Sequence, residues 1–420
     1  MRNLISAILL TLSIVSANAQ VTAIRAGLVV DPETGTITRN QIILVEGQNI
    51  KAIGAGVKIP AGTKVIDLSK QTVLPGFFDA HAHLCMNMRH KRDAGSYFIT
   101  TLRDSTAMRA IQGVANARSM LEHGFTTVRD IGNAGNYADT DLRRAIEQEL
   151  VPGPTIINAG RIIAPYGGQF HMQPDKPDLG NPEYFYADTR DELKKAIREN
   201  IHYGARVIKL VVDDQQYIYS VDDIRFVIQE AHLAGLKVAA HCWTEKGARN
   251  SAEAGVDSIE HGVEMTSEIL EIAKRNNVAL VPTPFTETDA REGGNPGGNT
   301  ETDKRWFAGP VKRAHQIGVT LVFGPDVIFS TKDYPRGRLS IETVDNWVAA
   351  GIPPNIILRA LTTNAAKLLG VETARGALKP GMRADIIAVK DNPLEKIETV
   401  KNVVFVMKNG KVFKHVLEIK

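Results

Sequence analysis

The chain has 420 residues, of which 43% are hydrophobic and 23% are charged, values typical of a soluble globular protein. This length suffices for one large domain together with a small one. The formal net charge is only +3, and the basic residues are dispersed along the chain. Because no basic stripe or arginine-rich run is present, the composition argues against a nucleic-acid partner.

The first nineteen residues have the pattern of an export signal. Arg2 gives a positive start, residues 4–16 are almost continuously apolar, and residues 17–19 form an A-x-A cleavage site. The apolar run is too short to span a bilayer comfortably, and a buried N-terminal helix is the alternative. We therefore expect residues 1–19 to be a signal peptide and the mature protein to be periplasmic or secreted, without membrane association.

Short β-prone segments separated by turns occupy both ends of the remaining chain. Residues 20–73 contain turn signals such as Asp31-Pro32, and residues 374–420 contain a hairpin turn at Asn409-Gly410. Neither group alone has enough strands to bury a core. We therefore predict a composite β-sandwich domain made of residues 20–73 and 374–420, with a larger domain at residues 74–373 inserted between its halves.

In the larger domain, short apolar runs alternate with amphipathic stretches. The eight runs, predicted as strands, are 73–78, 126–129, 155–158, 207–212, 238–240, 258–259, 278–282 and 319–323. The predicted helices between them include residues 105–123, 189–203, 221–234, 267–276 and 303–317. This alternation favours the α/β class and a (β/α)8 TIM barrel. A doubly wound open sheet is the alternative, but no G-x-G-x-x-G motif follows the first strand.

Two further features leave alternatives open. The polar, glycine-rich segment at residues 289–302 follows the seventh predicted strand, and it is either a lid over the site or a surface loop without a role. The two cysteines, Cys85 and Cys242, each lie within two residues of a histidine. Packed thiols near the site fit this placement, and a disulfide between them is also compatible with the sequence.

Six side chains suited to metal binding lie at the ends of the predicted strands, where barrel enzymes carry their active sites. The set is His81 and His83 after the first strand, Lys209 in the fourth, His241 after the fifth, His261 after the sixth and Asp326 after the eighth. The first two histidines are spaced i, i+2, so a strand would direct both to one face. Imidazoles and carboxylates are typical ligands of divalent ions such as zinc. The pattern therefore predicts a metal site.

Lys209 is the unusual member of this set, because burying an ammonium beside metal cations is costly. If its amine reacted with carbon dioxide, the resulting carbamate would offer a carboxylate able to bridge two ions. A salt-bridged lysine is the ordinary alternative. Other members also have ordinary explanations when taken singly, since Asp326 alone could cap a helix and His241 alone could be a hydrogen-bonded core histidine.

The set resembles the amidohydrolase superfamily, and the resemblance covers nearly the whole mature chain, including the tail at residues 376–385. It implies a barrel with a split β-domain and a centre of two divalent ions, which we expect to be Zn²⁺. The ligands it implies are His81, His83 and Asp326 for the more buried ion, His241 and His261 for the more exposed ion, and a CO2-derived carbamate on Lys209 as the bridge. It also implies a homo-oligomer, with an octamer as one form.

The same resemblance implies hydrolysis of an amide bond by a hydroxide that bridges the two ions, with Asp326 and Lys209 as the catalytic residues. The pattern is most similar to the imidazolonepropionase-like branch, which includes Xaa-Pro dipeptidases, carboxypeptidases acting on N-acyl amino acids and ochratoxin-hydrolysing amidohydrolases. Residues 126–130 and 259–262 carry this similarity. We expect small N-acyl amino acids or dipeptides as substrates, with ochratoxin A among the candidates.

Substrate contacts and competing functions are less defined by the sequence. Tyr217, in the loop after the fourth strand, and His171, in the loop after the third, are the candidates for binding substrate. A lactonase or esterase with the same metals, and an imidazolonepropionase-like cyclic amide hydrolase, are alternative activities. Imidazolonepropionase itself fits poorly, because it uses one metal and lacks the bridging lysine. A non-catalytic scaffold is a further alternative, which the presence of all six ligands argues against.

Overall fold

The computed structural model describes the backbone of residues 21–170, 172–284 and 300–416, and their side chains except at residue 90 and residues 300–307. The predicted signal peptide, His171 and most of the 289–302 segment lie outside the described residues, so the proposals made for them stay predictions. None of the helices in the described part of the chain combines the length and apolar character needed to cross a bilayer.

The strands occur in three sheets. In chain order they are β1 (Val21–Asp31), β2 (Thr36–Glu46), β3 (Asn49–Gly54), β4 (Lys64–Pro75), β5 (Phe77–Ala82), β6 (Phe125–Asp130), β7 (Thr155–Asn158), β8 (Ile162–Ala164), β9 (Tyr184–Tyr186), β10 (Val207–Val211), β11 (Lys237–Cys242), β12 (Ser258–His261), β13 (Ala279–Val281), β14 (Ile386–Val389), β15 (Val403–Lys408) and β16 (Lys411–His415). The sheet orders are β16-β15-β14-β4-β1-β2-β3, β13-β12-β11-β10-β8-β9 and β5-β6-β7.

The seven-stranded sheet combines both ends of the chain. Its strand β4 lies between β1, which runs parallel to it, and β14, which runs antiparallel. Ile24, Ile43, Leu68, Ile386 and Phe405 belong to a separate hydrophobic cluster of buried residues from these strands. The two chain ends thus build a common core, as small groups of strands require. Since the strands are hydrogen-bonded in one continuous sheet, a two-layered sandwich stays a prediction.

The other two sheets consist of parallel strands, as the βα alternation predicts, and backbone hydrogen bonds connect the two sheets on two sides. On one side, the N–H of Arg206 donates to the carbonyl of Asn158 over 2.7 Å. On the other, the N–H of Ala80 donates to the carbonyl of Phe323 over 2.9 Å, and Leu280 pairs with Leu321 in parallel. The carboxyl ends of these strands therefore meet around one space.

The helices of this α/β fold lie between the strands in chain order and pack on one continuous core. They are α1 (His90–Asp93), α2 (Tyr97–Arg103), α3 (Thr106–Glu122), α4 (Ala138–Glu147), α5 (Arg190–His202), α6 (Val221–Leu233), α7 (Glu245–Ala254), α8 (Ser267–Arg275), α9 (Thr300–Ile317), α10 (Arg336–Glu342), α11 (Val344–Ala349), α12 (Pro354–Ala360) and α13 (Thr363–Leu368). The predicted helices agree with α3, α5, α6, α8 and α9 to within a few residues, because caps such as Thr189 mark where they start.

The strand predicted at residues 73–78 is divided in the structure. β4 ends at Pro75 and β5 begins at Phe77, while Gly76 between them donates its N–H to the carbonyl of Asp385 over 2.9 Å. A Cβ atom at Gly76 would collide with the side chain of Thr126. One apolar run of the sequence therefore supplies two sheets, because both sheets bury their strands at this point.

Candidate metal centre

A cavity of about 310 Å³ contains all six side chains predicted as metal ligands. The six come from five parts of the chain: His81 lies in β5 and His83 just after it, Lys209 within β10, His241 in β11, His261 at the end of β12, and Asp326 after the segment that pairs with β13. Three larger clefts, of about 880, 740 and 330 Å³, are lined by none of these six residues. We therefore place the candidate site in the smaller cavity.

His81, His83 and Asp326 form a group in this cavity whose possible ligand atoms lie within 4.8 Å of one another. Oδ1 of Asp326 lies 3.2 Å from Nε2 of His83 and 3.5 Å from Nε2 of His81. The N–H of Asp326 donates to the carbonyl of His81 over 3.0 Å, which fixes the two segments against each other. Asp326 has a φ of +57° and His261 has a φ of +67°. Left-handed backbone at residues other than glycine is strained and concentrates at functional sites.

Three of the histidines are oriented by a hydrogen bond at their other ring nitrogen. Nδ1 of His81 lies 2.8 Å from Glu260, Nδ1 of His83 lies 2.8 Å from the carbonyl of Gly132, and Nδ1 of His261 lies 2.7 Å from the hydroxyl of Thr283. The carboxylate of Glu260 and the carbonyl of Gly132 can only accept, so they hold the proton on Nδ1 of His81 and His83 and leave the lone pair of Nε2 available in the cavity. This arrangement is the usual one for histidines that bind metal.

Glu260 is a fully buried carboxylate beneath the site. It accepts hydrogen bonds from Arg129 over 2.7 Å and from the hydroxyl of Ser258, in addition to its contact with His81. Burial alone would raise the pKa of Glu260, but Arg129 and His81 lower it to about 2. The carboxylate is therefore ionised at neutral pH and can hold the Nδ1 proton of His81.

Burial and neighbouring charges shift the pKa values of four groups in the site. It lowers the pKa of His81 to about 4 and places that of His261 well below its usual value, so both imidazoles are neutral at pH 7. Burial lowers the pKa of Lys209 to about 8, although Glu260 and Asp326 oppose the shift. Burial would raise the pKa of Asp326, but His81 and His83 bring it below its usual value.

A second acidic group, Asp213 and Asp214, lies beside His241. Nε2 of His241 is buried 2.8 Å from Oδ2 of Asp214 but lacks the alignment of a hydrogen bond. The indole of Trp243 stacks on the ring of His261 with a centroid separation of 5.1 Å and an interplanar angle of 13°. Asp214 and Trp243 line one side of the cavity, and the sequence interpretation included neither of them.

The residues fit divalent metal ions on three observations. The spacings of 3.2 and 3.5 Å around Asp326 match ligand atoms that share one ion at about 2.1 Å. Neutral imidazoles and an ionised carboxylate are the donor forms that metal binding requires. The unsatisfied Nε2 of His241 offers a further donor in the same cavity. His81, His83 and Asp326 are therefore a candidate group for one ion, and His241 and His261 for another.

The proposed substrate contacts have different outcomes. Tyr217 is 50% exposed and is not among the described residues that line the cavity. His171 lies outside the described residues.

Cys85 and Cys242 are both buried free thiols, so no disulfide joins them. Sγ of Cys242 instead lies 3.2 Å from the hydroxyl of Ser251.

A parallel α/β fold with histidines, an aspartate and a lysine around a cavity at the strand ends is typical of metal-dependent hydrolases. A model described as "Amidohydrolase family" matches residues 72–413, and the chain therefore belongs to the amidohydrolase family. It is a hydrolase that acts on amide bonds. This confirms the family that the six-residue set indicated.

Individual relatives agree with the branch of the family suggested by the sequence. The chain is 26% identical to ochratoxinase of Aspergillus niger over 439 residues, which cover 94% of this chain and 87% of that protein. It is 23% identical to imidazolonepropionase of Fusobacterium nucleatum over 377 residues, covering 83% of this chain and 85% of that protein. The crystal structure of a Xaa-Pro dipeptidase with bound methionine has a TM-score of 0.83 and 27% identity, covering 94% of this chain and all of that one.

Proposed function

We propose that the protein is a binuclear metal-dependent amidohydrolase that cleaves the amide bond of small dipeptides or N-acyl amino acids. The observation that carries this proposal is the meeting of all six side chains in one cavity. The similarity to ochratoxinase and to a Xaa-Pro dipeptidase supports the substrate class, and ochratoxin A is included among the candidates. A lactonase or esterase reaction is the second candidate, because the same site can polarise an ester carbonyl.

His81, His83 and Asp326 would hold one ion, His241 and His261 the other, and a carbamate on Lys209 would bridge them. Two divalent ions, expected to be Zn²⁺, would lower the pKa of water toward neutrality and polarise the substrate carbonyl. Lys209 is 2% exposed in an apolar strand, and burial lowers its pKa to about 8, which increases the fraction of neutral amine that can react with carbon dioxide. The carbamate would convert this lysine into a carboxylate ligand.

The protein's own groups would then handle the proton. Asp326 is ionised beside two imidazoles, so its carboxylate can accept a proton from the attacking water and deliver it to the leaving amine. Glu260 keeps the ring of His81 in the tautomer that leaves Nε2 free. Trp243 lies against His261 and limits the access of bulk water to that side of the cavity.

The proposal also covers the closure of the barrel, the export of the protein and its assembly. The two parallel sheets, connected on two sides by backbone hydrogen bonds, support a closed (β/α)8 barrel. We also propose that the signal peptide at residues 1–19 directs export and that the mature protein forms a homo-oligomer. The mass of the protein recovered from culture medium or periplasm tests the export and cleavage. Analytical ultracentrifugation of the purified protein tests the assembly.

The test of the function is a metal analysis followed by a hydrolysis screen of dipeptides, N-acyl amino acids and lactones. We expect two ions per chain, loss of hydrolysis on chelation, and recovery on adding Zn²⁺ and bicarbonate. Asp326→Asn should retain metal while its kcat falls at least about 100-fold, because the proton acceptor is lost. Near-normal kcat in metal-loaded Asp326→Asn would refute the proton role, and a chain that binds no stoichiometric metal would refute the function.

A further inference from the structure

Asp214 is the only charged group among the described residues lining the cavity that the proposed metal centre does not use. Its side chain is three-quarters buried, with 25% of its surface exposed. The φ of Asp214 is +86°, a left-handed conformation that aspartate tolerates better than most residues. The backbone of Asp214 is therefore strained at the position where its carboxylate lines the cavity.

Neighbouring groups fix the direction of this carboxylate. Nε2 of Gln169 donates to Oδ2 of Asp214 over 2.7 Å, and the hydroxyl of Tyr184 donates to Oε1 of Gln169 over 2.9 Å. The same Oδ2 lies 2.8 Å from Nε2 of His241. Gln169 and His241 also line the cavity, so Asp214 is held in the wall beside the more exposed metal position.

The adjacent Asp213 has a different task. Its carboxylate accepts the backbone N–H of Trp243 over 3.0 Å, and the N–H and hydroxyl of Thr244 over 2.8 Å each. These bonds hold the segment that leads into α7 and position the indole of Trp243. Because these donors occupy both oxygens of Asp213, only Asp214 of this pair is available to a molecule in the cavity.

A buried carboxylate is stable only when a cation or several donors compensate it. The remaining wall of the cavity beside it is apolar or neutral and includes Tyr97, Ile162 and Trp243. In the proposed function, the scissile carbonyl binds next to His241 and His261. The α-amine of a dipeptide lies only about 2.5 Å from that carbonyl carbon. A protonated α-amine would therefore fall on the side of the cavity that Asp214 occupies.

We propose that Asp214 binds the protonated α-amine of the substrate, so that the enzyme prefers dipeptides with a free amino terminus to N-acyl amino acids. This inference rests on the proposed function and narrows its substrate class. Asp214 acts here as a specificity residue, through a charge-assisted hydrogen bond with the ammonium. N-acyl amino acids lack this cation and would not form this charge-assisted hydrogen bond with Asp214.

The test compares two substrates that differ only in the amine, L-leucyl-L-phenylalanine and 4-methylpentanoyl-L-phenylalanine. We expect the wild-type protein to have at least about 10-fold higher kcat/KM for the leucyl compound, since a hydrogen bond to a charged group has this magnitude. Asp214→Asn should lower kcat/KM for the leucyl compound about 10- to 100-fold, change it less than about twofold for the other, and leave metal content unchanged. The exposed Asp141→Asn on α4 is the matched control and should change neither.

A binding measurement without turnover separates this inference from the proposed function. L-leucine hydroxamate should bind the metal-loaded protein at least about 10-fold more tightly than 4-methylpentanehydroxamate, with the difference abolished in Asp214→Asn. Equal affinity of the wild-type protein for both would overturn the inference even if both amides are hydrolysed. The inference would also be overturned if Asp214→Asn lost its metal and lost activity equally toward the leucyl and the 4-methylpentanoyl substrates, because Asp214 would then be a metal ligand. Hydroxamate discrimination without amide hydrolysis would support the inference and refute the proposed function.

Discussion

Replacing Glu260 by glutamine tests whether the buried carboxylate orients His81. The glutamine side chain has the same shape and can still accept hydrogen bonds from Arg129 and Ser258. Its amide nitrogen would then face Nδ1 of His81, which lies 2.8 Å from the carboxylate in the native protein. Two donors would be opposed, so His81 would move its proton to Nε2 and lose the lone pair directed into the cavity.

The expected magnitudes follow from these contacts. Loss of a carboxylate that orients a metal-binding histidine typically weakens metal binding about 10- to 100-fold, or about 1.4–2.7 kcal/mol. The native environment lowers the pKa of Glu260 from 4.5 to about 2, which corresponds to about 3 kcal/mol of stabilisation for its charge. Because Glu260→Gln leaves Arg129 buried without a counter-charge, the metal-free protein should lose a similar free energy of unfolding.

Two assays measure these effects separately. Zn²⁺ titration in competition with a chromophoric chelator gives the metal affinity, and urea unfolding of the metal-free protein gives the stability. Glu271→Gln, at an exposed position of α8, is the control and should change neither quantity. A folded Glu260→Gln protein with wild-type Zn²⁺ affinity would refute the orienting role, whatever its stability.

Two further predictions concern the frame of the site and its pH dependence. Arg336 is 1% exposed and donates hydrogen bonds to the carbonyls of Phe329, His83, Val327 and Met86. Arg336→Met should therefore lower the free energy of unfolding by roughly 4 kcal/mol and weaken Zn²⁺ binding, whereas the control Arg338→Met, at an exposed position, should do neither. Unchanged unfolding of Arg336→Met by urea would contradict this prediction. The pKa of His81 is about 4 in the folded protein and 6.5 in its usual state, so the unfolded chain binds the proton first as the pH falls. The free energy of unfolding of the metal-free protein should therefore decrease between pH 6.5 and pH 4, with a slope that approaches about 1.4 kcal/mol per pH unit. A free energy of unfolding that stays constant over this interval in urea titrations would exclude the effect.

The positions of the six proposed ligands were predictable from local sequence. Each follows or lies in a short apolar run, and parallel strands bring their carboxyl ends to the same place, so His241 and His261 could be placed together without coordinates. The boundary at Gly76 was not predictable, because the apolar run from Val73 to Phe78 is continuous although two sheets share it. Periodicity indicates that a segment is buried and not which sheet buries it.

The supporting contacts were less accessible from sequence. Glu260 lies in a short strand next to His261, and its partner Arg129 lies 131 positions earlier in the chain, so no local pattern indicates their contact. Asp214 was missed because two consecutive aspartates after a strand usually indicate a turn. The signal that marks it, a φ of +86° with the carboxylate beside His241, exists only in three dimensions.

The single residue between β4 and β5 has a mechanical consequence. Gly76 donates its N–H to the carbonyl of Asp385 and leaves no space for a side chain, so the residue before the strand that carries His81 is bonded directly to the residue before β14. A chain that stops before Asp385 would lose this bond together with the pairing of β14 with β4. The C-terminal strands therefore help to fix the start of β5, so an attempt to shorten this enzyme to its central portion should weaken Zn²⁺ binding.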